Sequence, residues 1–140
     1  MSNGKTRMTY LEEVKSILKD QYDQILVTKR RDENKFLEAT KRLVKKYKND
    51  ISTSQLRNIF SKIKNIKDED YKKFYLLRPK LAYVSGRAEK KYGMKKLIEL
   101  LDDQIKKIDS EEKAKQFKYF FESVIAYHKY YEAGGKKWNF

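Results

Sequence analysis

The sequence predicts an all-α fold, a compact single-domain helical bundle of five to six helices. Apolar residues recur with period 3.6 almost throughout, and no stretch alternates with period two long enough to make a strand. At 140 residues the chain has the length of one domain. Leu, Ile, Val and Phe number 34 of 140, enough to fold a chain in which 39% of residues are charged. Each helix can then spare only one apolar stripe for the core. The expected organisation is a flexible tail over residues 1–8, the bundle over 9–135 and a C-terminal tail over 136–140.

Thr9 and Glu12 have capping-box spacing, and Leu11, Val14, Leu18 and Ile25 then share the stripe of a first helix that "KRRDEN" closes. Phe36, Thr40, Leu43 and Tyr47 line a second helix, ended by "KND". "ISTSQL", residues 51–56, marks the start of the third: Ser52 and Gln55 have capping-box spacing, and Ile51 faces Leu56 as a hydrophobic staple. Leu56, Ile59, Phe60 and Ile63 continue inward.

"KDED" opens the fourth helix with carboxylates where the helix dipole favours them. Tyr71, Phe74, Leu77, Leu81, Val84, Ala88 and Tyr92 hold helical phase through Pro79, which predicts one kinked helix that Gly93 stops. Gly86 lies opposite that stripe, facing outward. Met94, Leu97, Ile98, Leu101, Ile105 and Ile108 line a fifth helix. Asp109 with Glu112 caps the sixth, whose Phe117, Phe121, Val124, His128 and Tyr131 share one side as far as Gly134 and Gly135.

The net charge of +14 is unevenly placed. Residues 51–96 hold 13 basic against 4 acidic residues, whereas residues 97–140 hold 8 of each. A local excess of this kind favours a polyanion. There is no cysteine and 1 histidine, so neither disulfides nor zinc sites of the usual ligand types are expected. No apolar run approaches the roughly 20 residues of a membrane span, and a soluble cytoplasmic protein is expected.

Catalytic chemistry finds no support. His128 sits on the stripe of Phe121 and Val124, where a packed histidine is expected rather than a base that reaches substrate. "DED" at 68–70 and "DD" at 102–103 are neighbours along a helix and diverge, so neither gathers on a metal ion. No glycine-rich phosphate loop is present, and no cofactor is expected.

Binding chemistry is better supplied. On a wheel centred on Leu77, Lys80, Arg87 and Lys91 cluster on one flank with Tyr83 and Lys90 beyond, and Arg78, Ser85 and Glu89 take the other. A one-sided row of cations with an embedded tyrosine suits tracking a phosphate backbone while the ring stacks on a base. Snorkelling side chains around an ordinary amphipathic helix would give the same row. Arg57, Arg42 and Lys46 on the preceding helices also point away from their apolar stripes. Near the C-terminus only Lys129 and Tyr130 face outward by phase, while Trp138 and Phe140 lie past the double glycine, placed to dock on a partner or fold back.

Three stretches, "ISTSQLRNIFSKI" at 51–63, "LLRPKLAYVSGR" at 76–87 and "FFESVIAYHKYYEAGG" at 120–135, together resemble the small subunit of the type III-A CRISPR Csm effector complex. The resemblance covers about residues 33–135, and the first 30 residues carry no signature of that family. It implies a small, non-catalytic helical bundle that stacks in several copies beside the backbone subunits and lines the channel holding guide and target RNA. It further implies that cleavage of target RNA, the DNase and cyclic-oligoadenylate synthesis belong to other subunits. Its expected partners are guide RNA, target RNA, the backbone and large subunits and further copies of itself, with no membrane. Carried onto this chain, Arg57, Arg78, Lys80 and Arg87 are the RNA-contacting candidates, followed by Lys129 and by His128, which is inward by phase. Together with the helical wheel, the candidate RNA-binding set is Arg42, Lys46, Arg57, Arg78, Lys80, Tyr83, Arg87, Lys91 and Lys129. The alternative is a generic basic helical DNA- or RNA-binding protein outside CRISPR systems.

Overall fold

A computed structural model of the chain describes residues 8–134. Among them no strand occurs, and the order is α1 (Tyr10–Leu18), a 3₁₀ segment (Lys19–Gln24), α2 (Glu33–Tyr47), α3 (Thr53–Lys64), a second 3₁₀ segment (Asp68–Leu77), α4 (Arg78–Arg87), α5 (Tyr92–Ile105) and α6 (Glu111–Glu132). The all-α bundle of six α-helices matches the expectation. The expected tails, apart from Met8, and the expectation for Trp138 and Phe140 fall outside the described residues.

The capping box of α1 forms in both directions: the Glu12 amide donates to Thr9 Oγ1 at 3.0 Å, and the Thr9 amide donates to Glu12 Oε1 at 2.7 Å. The predicted first helix, however, breaks after Leu18, where Lys19 takes a left-handed φ of 54°. The 3₁₀ segment that follows still delivers Tyr22 and Ile25 to the core. "KRRDEN" does more than end a helix. The Arg30 side chain is only 2% exposed, and its guanidinium lies 4.1 Å from the centroid of the Phe36 ring. It donates to the carbonyls of Gln24 and Ile25 and to Glu33, each at 2.9 Å, so carbonyls left over at a helix end are satisfied by a buried cation.

At α3 the Gln55 amide donates to Ser52 Oγ at 3.3 Å, and Ile51 and Leu56 are both buried. The reciprocal bond from the Gln55 side chain is not among the hydrogen bonds of the described residues. The cap of α6 also differs from expectation. Ser110, not Asp109, accepts from the helix, at the Lys113 amide, and Asp109 pairs instead with the Lys113 ammonium at 3.0 Å.

The single kinked helix expected over residues 71–92 is replaced by two elements. A 3₁₀ segment runs to Leu77, and α4 begins at Arg78 with Pro79 in its first turn, where a missing amide hydrogen costs nothing. The Tyr75 carbonyl, which Pro79 cannot serve, accepts from the Arg78 amide. Nor does the helix reach Tyr92. Glu89 adopts a φ of 47° in the turn after Arg87, and Tyr92 begins α5 and is exposed. Gly93 therefore starts a helix rather than stopping one. Its amide donates to Asp50 Oδ2 at 2.8 Å, so an acid from the α2–α3 turn caps α5. A Cβ at position 93 would lie 2.9 Å from that of Tyr47 and 3.0 Å from that of Asp50, so only glycine allows the approach.

The core is organised around α6, which packs against α2, α3 and the second 3₁₀ segment. Phe117 meets Phe74 at 5.9 Å between centroids, Phe121 meets Phe60 at 5.5 Å, and Phe120 meets Phe36 at 6.1 Å. On the far side, α5 packs against α1, α2 and α4. One polar node ties α1, α2 and α5 together: the Tyr47 hydroxyl donates to Glu13, and Lys96 pairs with the same carboxylate at 2.9 Å.

Gly93→Ala is expected to cost about 1–3 kcal/mol, because the close approach to Tyr47 and Asp50 has no room for a methyl group. Gly86→Ala, with nothing within 4 Å of its added Cβ, should leave stability unchanged or raise it by about 0.5–1 kcal/mol. Urea unfolding of the two variants checks the contrast, and equal effects would contradict it.

The Glu13 carboxyl is held below the usual carboxylate range chiefly by the Tyr47 hydroxyl, against partial burial and with help from Lys96. A folded-state value below the unfolded one adds stability above the unfolded pKa, and that stability is lost as pH falls through the folded one. Tyr47→Phe should therefore cost about 1 kcal/mol near neutral pH. The gap from the parent protein should narrow once Glu13 is protonated. Unfolding curves across the acid limb test this, and a gap independent of pH would break the link.

Candidate nucleic-acid interface

Three of the predicted residues are brought together on α4. Lys80, Tyr83 and Arg87 follow one another at three- and four-residue spacing, which places them on one side of the helix. Tyr83 is 59% exposed. The Lys80 ammonium lies 6.0 Å and the Arg87 guanidinium 5.8 Å from its ring centroid, and Arg87 Nη1 donates to the Tyr83 hydroxyl at 3.1 Å. Arg87 sits in the last turn of α4, where the helix dipole favours a cation. The three side chains form an aromatic platform with a positive charge on each flank. Lys91 is exposed but lies beyond the turn that ends α4, so the wheel position expected for it does not apply.

Arg78 takes the opposite flank, as expected. It is held by Asp102 of α5 in a two-pronged pair, with Nε to Oδ1 at 2.8 Å and Nη2 to Oδ2 at 3.3 Å. That hydrogen bond and charge raise the guanidinium's already high pKa, so its charge is secure. Arg78 and Gly86 border a groove between α4 and α5, across which the Lys95 ammonium donates to the Ser85 carbonyl at 2.7 Å.

Arg57, Lys129 and His128 gather elsewhere, at the end of the bundle where α2 turns into α3 and α6 finishes. His128 is 2% exposed, as its phase predicted. Its Nδ1 is 2.9 Å from Thr53 Oγ1 and its Nε2 is 3.2 Å from the Lys48 carbonyl oxygen, while Thr53 donates to Glu132 at 2.6 Å. A carbonyl and a carboxylate both accept, so all three hydrogen bonds form at once only when both ring nitrogens carry protons. His128 thus joins α2, α3 and α6 and is no surface ligand. The Glu132 carboxyl is held low chiefly by the Thr53 hydroxyl, with further help from His128, Lys129 and Arg57. Arg57 and Lys129 are both exposed beside it.

The two predicted cations of α2 diverge. Lys46 helps hold the Glu13 carboxyl low, whereas Arg42 lies on the groove between α2 and α6. That groove collects residues outside the predicted set: Lys41, Lys45, Lys48 and Tyr131, with Tyr130, Gly134 and one acid, Glu38. The signal was present in the sequence, since Lys41, Lys45 and Lys48 share one face at i, i+4 and i+7. Only the packing of α2 on α6 shows that tyrosines lie opposite.

The acidic pairs diverge as expected. Asp68 pairs with Lys118 at 2.7 Å, Asp102 with Arg78 and Asp103 with Lys107 at 3.1 Å. Among the described residues no three His, Asp or Glu side chains gather to hold a metal ion, and no helix is long and apolar enough to cross a membrane.

The family model described as Csm2 Type III-A matches residues 30–134. No curated protein and no solved structure matches the chain. The match spans α2 to α6, with the α4 platform and the groove between α2 and α6, and it starts at Arg30, consistent with a first 30 residues that lack the family's motifs. The chain belongs to the Csm2 Type III-A family and is a small subunit of the type III-A CRISPR Csm complex.

Proposed function

We propose that this subunit is non-catalytic and binds RNA, holding the guide and target strands of the Csm complex through basic faces while other subunits cleave. The observation that carries the reading is the Lys80–Tyr83–Arg87 platform on α4. Among the described residues its cations have no carboxylate partner, and Tyr83 is largely exposed. Basic side chains that neutralise phosphates release counter-ions and confer little sequence preference. A subunit that must serve any guide needs that property, since base pairing between guide and target reads sequence.

Arg78, Arg57, Lys91, Arg42, Lys46 and Lys129 extend the basic surface on the same reading. Arg78 adds a second role, because its pair with Asp102 anchors α4 to α5 and so aims the platform. Several copies would stack beside the backbone subunits, with guide and target RNA as shared ligands and the cytoplasm as the place of action. Gly86, exposed and with open space around it, is the point on α4 where a second copy or an RNA backbone can approach most closely.

Lys80→Ala combined with Arg87→Ala should weaken binding of a single-stranded RNA and lower the slope of log affinity against log salt by about 1.4, or about 0.7 for each phosphate no longer neutralised. Tyr83→Ala should cost about tenfold in affinity and leave the slope unchanged, because stacking releases no ions. Fluorescence anisotropy over a salt series, with duplex DNA as competitor, measures both. Affinity that does not depend on salt, or duplex DNA that competes as well as RNA at matched salt, would count against the reading.

A further inference from the structure

We infer that the groove between α2 and α6 is a second RNA subsite, one that takes an unpaired nucleotide segment with its phosphates on α2 and a base against Tyr130. The inference rests on the RNA-binding reading above, but it concerns a different face built from different helices.

Four cations gather along this one groove. Among the described residues, Lys41, Arg42, Lys45 and Lys48 have no carboxylate within ion-pair distance, whereas Lys96, Lys106, Lys107, Lys113, Lys115 and Lys118 do. Lys41 rests instead over the Tyr130 ring at 5.2 Å, and Lys48 over the Tyr131 ring at 5.5 Å. Arg42 donates to the Ile17 carbonyl, at 3.5 Å. Among the described residues the single acid lining the groove is Glu38. Four cations against one carboxylate give a field that attracts an anion, and their spacing along α2 sets them as a row rather than a point.

The groove is open and offers about 490 Å³, room for a nucleotide. The rings of Tyr130 and Tyr131 meet edge to face at 5.1 Å between centroids, so one tyrosine braces the other. Tyr131 is also packed on the core. A row of phosphate-binding cations beside a braced tyrosine face is the arrangement that holds single strands without reading sequence. An acidic peptide would satisfy the lysines but make no use of the rings, and an A-form duplex keeps its bases stacked on each other and offers no free base.

The test uses the full chain and three probes of equal charge: an oligouridylate, the matching RNA duplex and an oligoglutamate. Lys41→Ala combined with Lys45→Ala should weaken oligouridylate binding about tenfold at low salt and lower the salt slope by about 1.4. Tyr130→Ala should weaken it with no change in slope, and Tyr130→Phe should retain binding. Cross-linking of the parent protein to an oligouridylate bearing 4-thiouridine should label peptides from residues 38–48 or 127–134, which keeps the test valid if a variant fails to fold. These labels should persist in the Lys80→Ala and Arg87→Ala double variant, so failure of the α4 platform and failure of the groove give different patterns. Absence of label from both segments, an unchanged slope in a folded double lysine variant, or preference for oligoglutamate or duplex would overturn the inference.

Discussion

The structure depends on one seam of phenylalanines. With 39% of its residues charged, the chain can give each helix only a narrow apolar stripe, and α6 is where those of α2, α3 and the second 3₁₀ segment meet. Phe117, Phe120 and Phe121 leave α6 in different directions and contact the second 3₁₀ segment, α2 and α3 in turn. Burial of rings of this size dominates the energetics of a small core, and their edge and tilted contacts add to it. A helix that serves three neighbours fixes where those neighbours stand. It thereby decides which of their remaining faces look outward.

Polar contacts then position what the seam holds together. Arg30 closes the end of the first 3₁₀ segment under Phe36, Asp50 caps α5 across the gap that Gly93 leaves, and His128 ties the α2–α3 turn to the end of α6. Each links the core to the outer surface. The platform on α4 is aimed by Arg78 on Asp102, and the groove cations are aimed by the packing of α2 on α6. Among the described residues both faces are built on helices, which limits the backbone freedom that binding a strand would cost.

Much of this was legible in residue order. Helical period identified the buried stripes of α2, α3, α5 and α6, including the inward His128, because a side chain's phase on a regular helix follows from spacing alone. The same reasoning failed where the backbone leaves α geometry. The apolar stripe from Tyr71 to Tyr92 kept phase through a 3₁₀ segment and a turn, since burial of Phe74, Leu77, Leu81, Val84 and Ala88 was reached by two elements as well as by one. Gly93 looked like a stop because glycine ends helices more often than it makes room at their start. The Lys80–Tyr83–Arg87 platform was readable because it lies on one helix. The groove was not, because its halves are about 90 residues apart and only tertiary packing joins them.

The most direct test of the account is hydrogen exchange of the protein with and without a single-stranded RNA. The account predicts RNA-dependent protection concentrated in α4 and in the facing segments of α2 and α6, with the amides of α5 unchanged. Protection spread evenly over the chain, or confined to α5 and the second 3₁₀ segment, would contradict it.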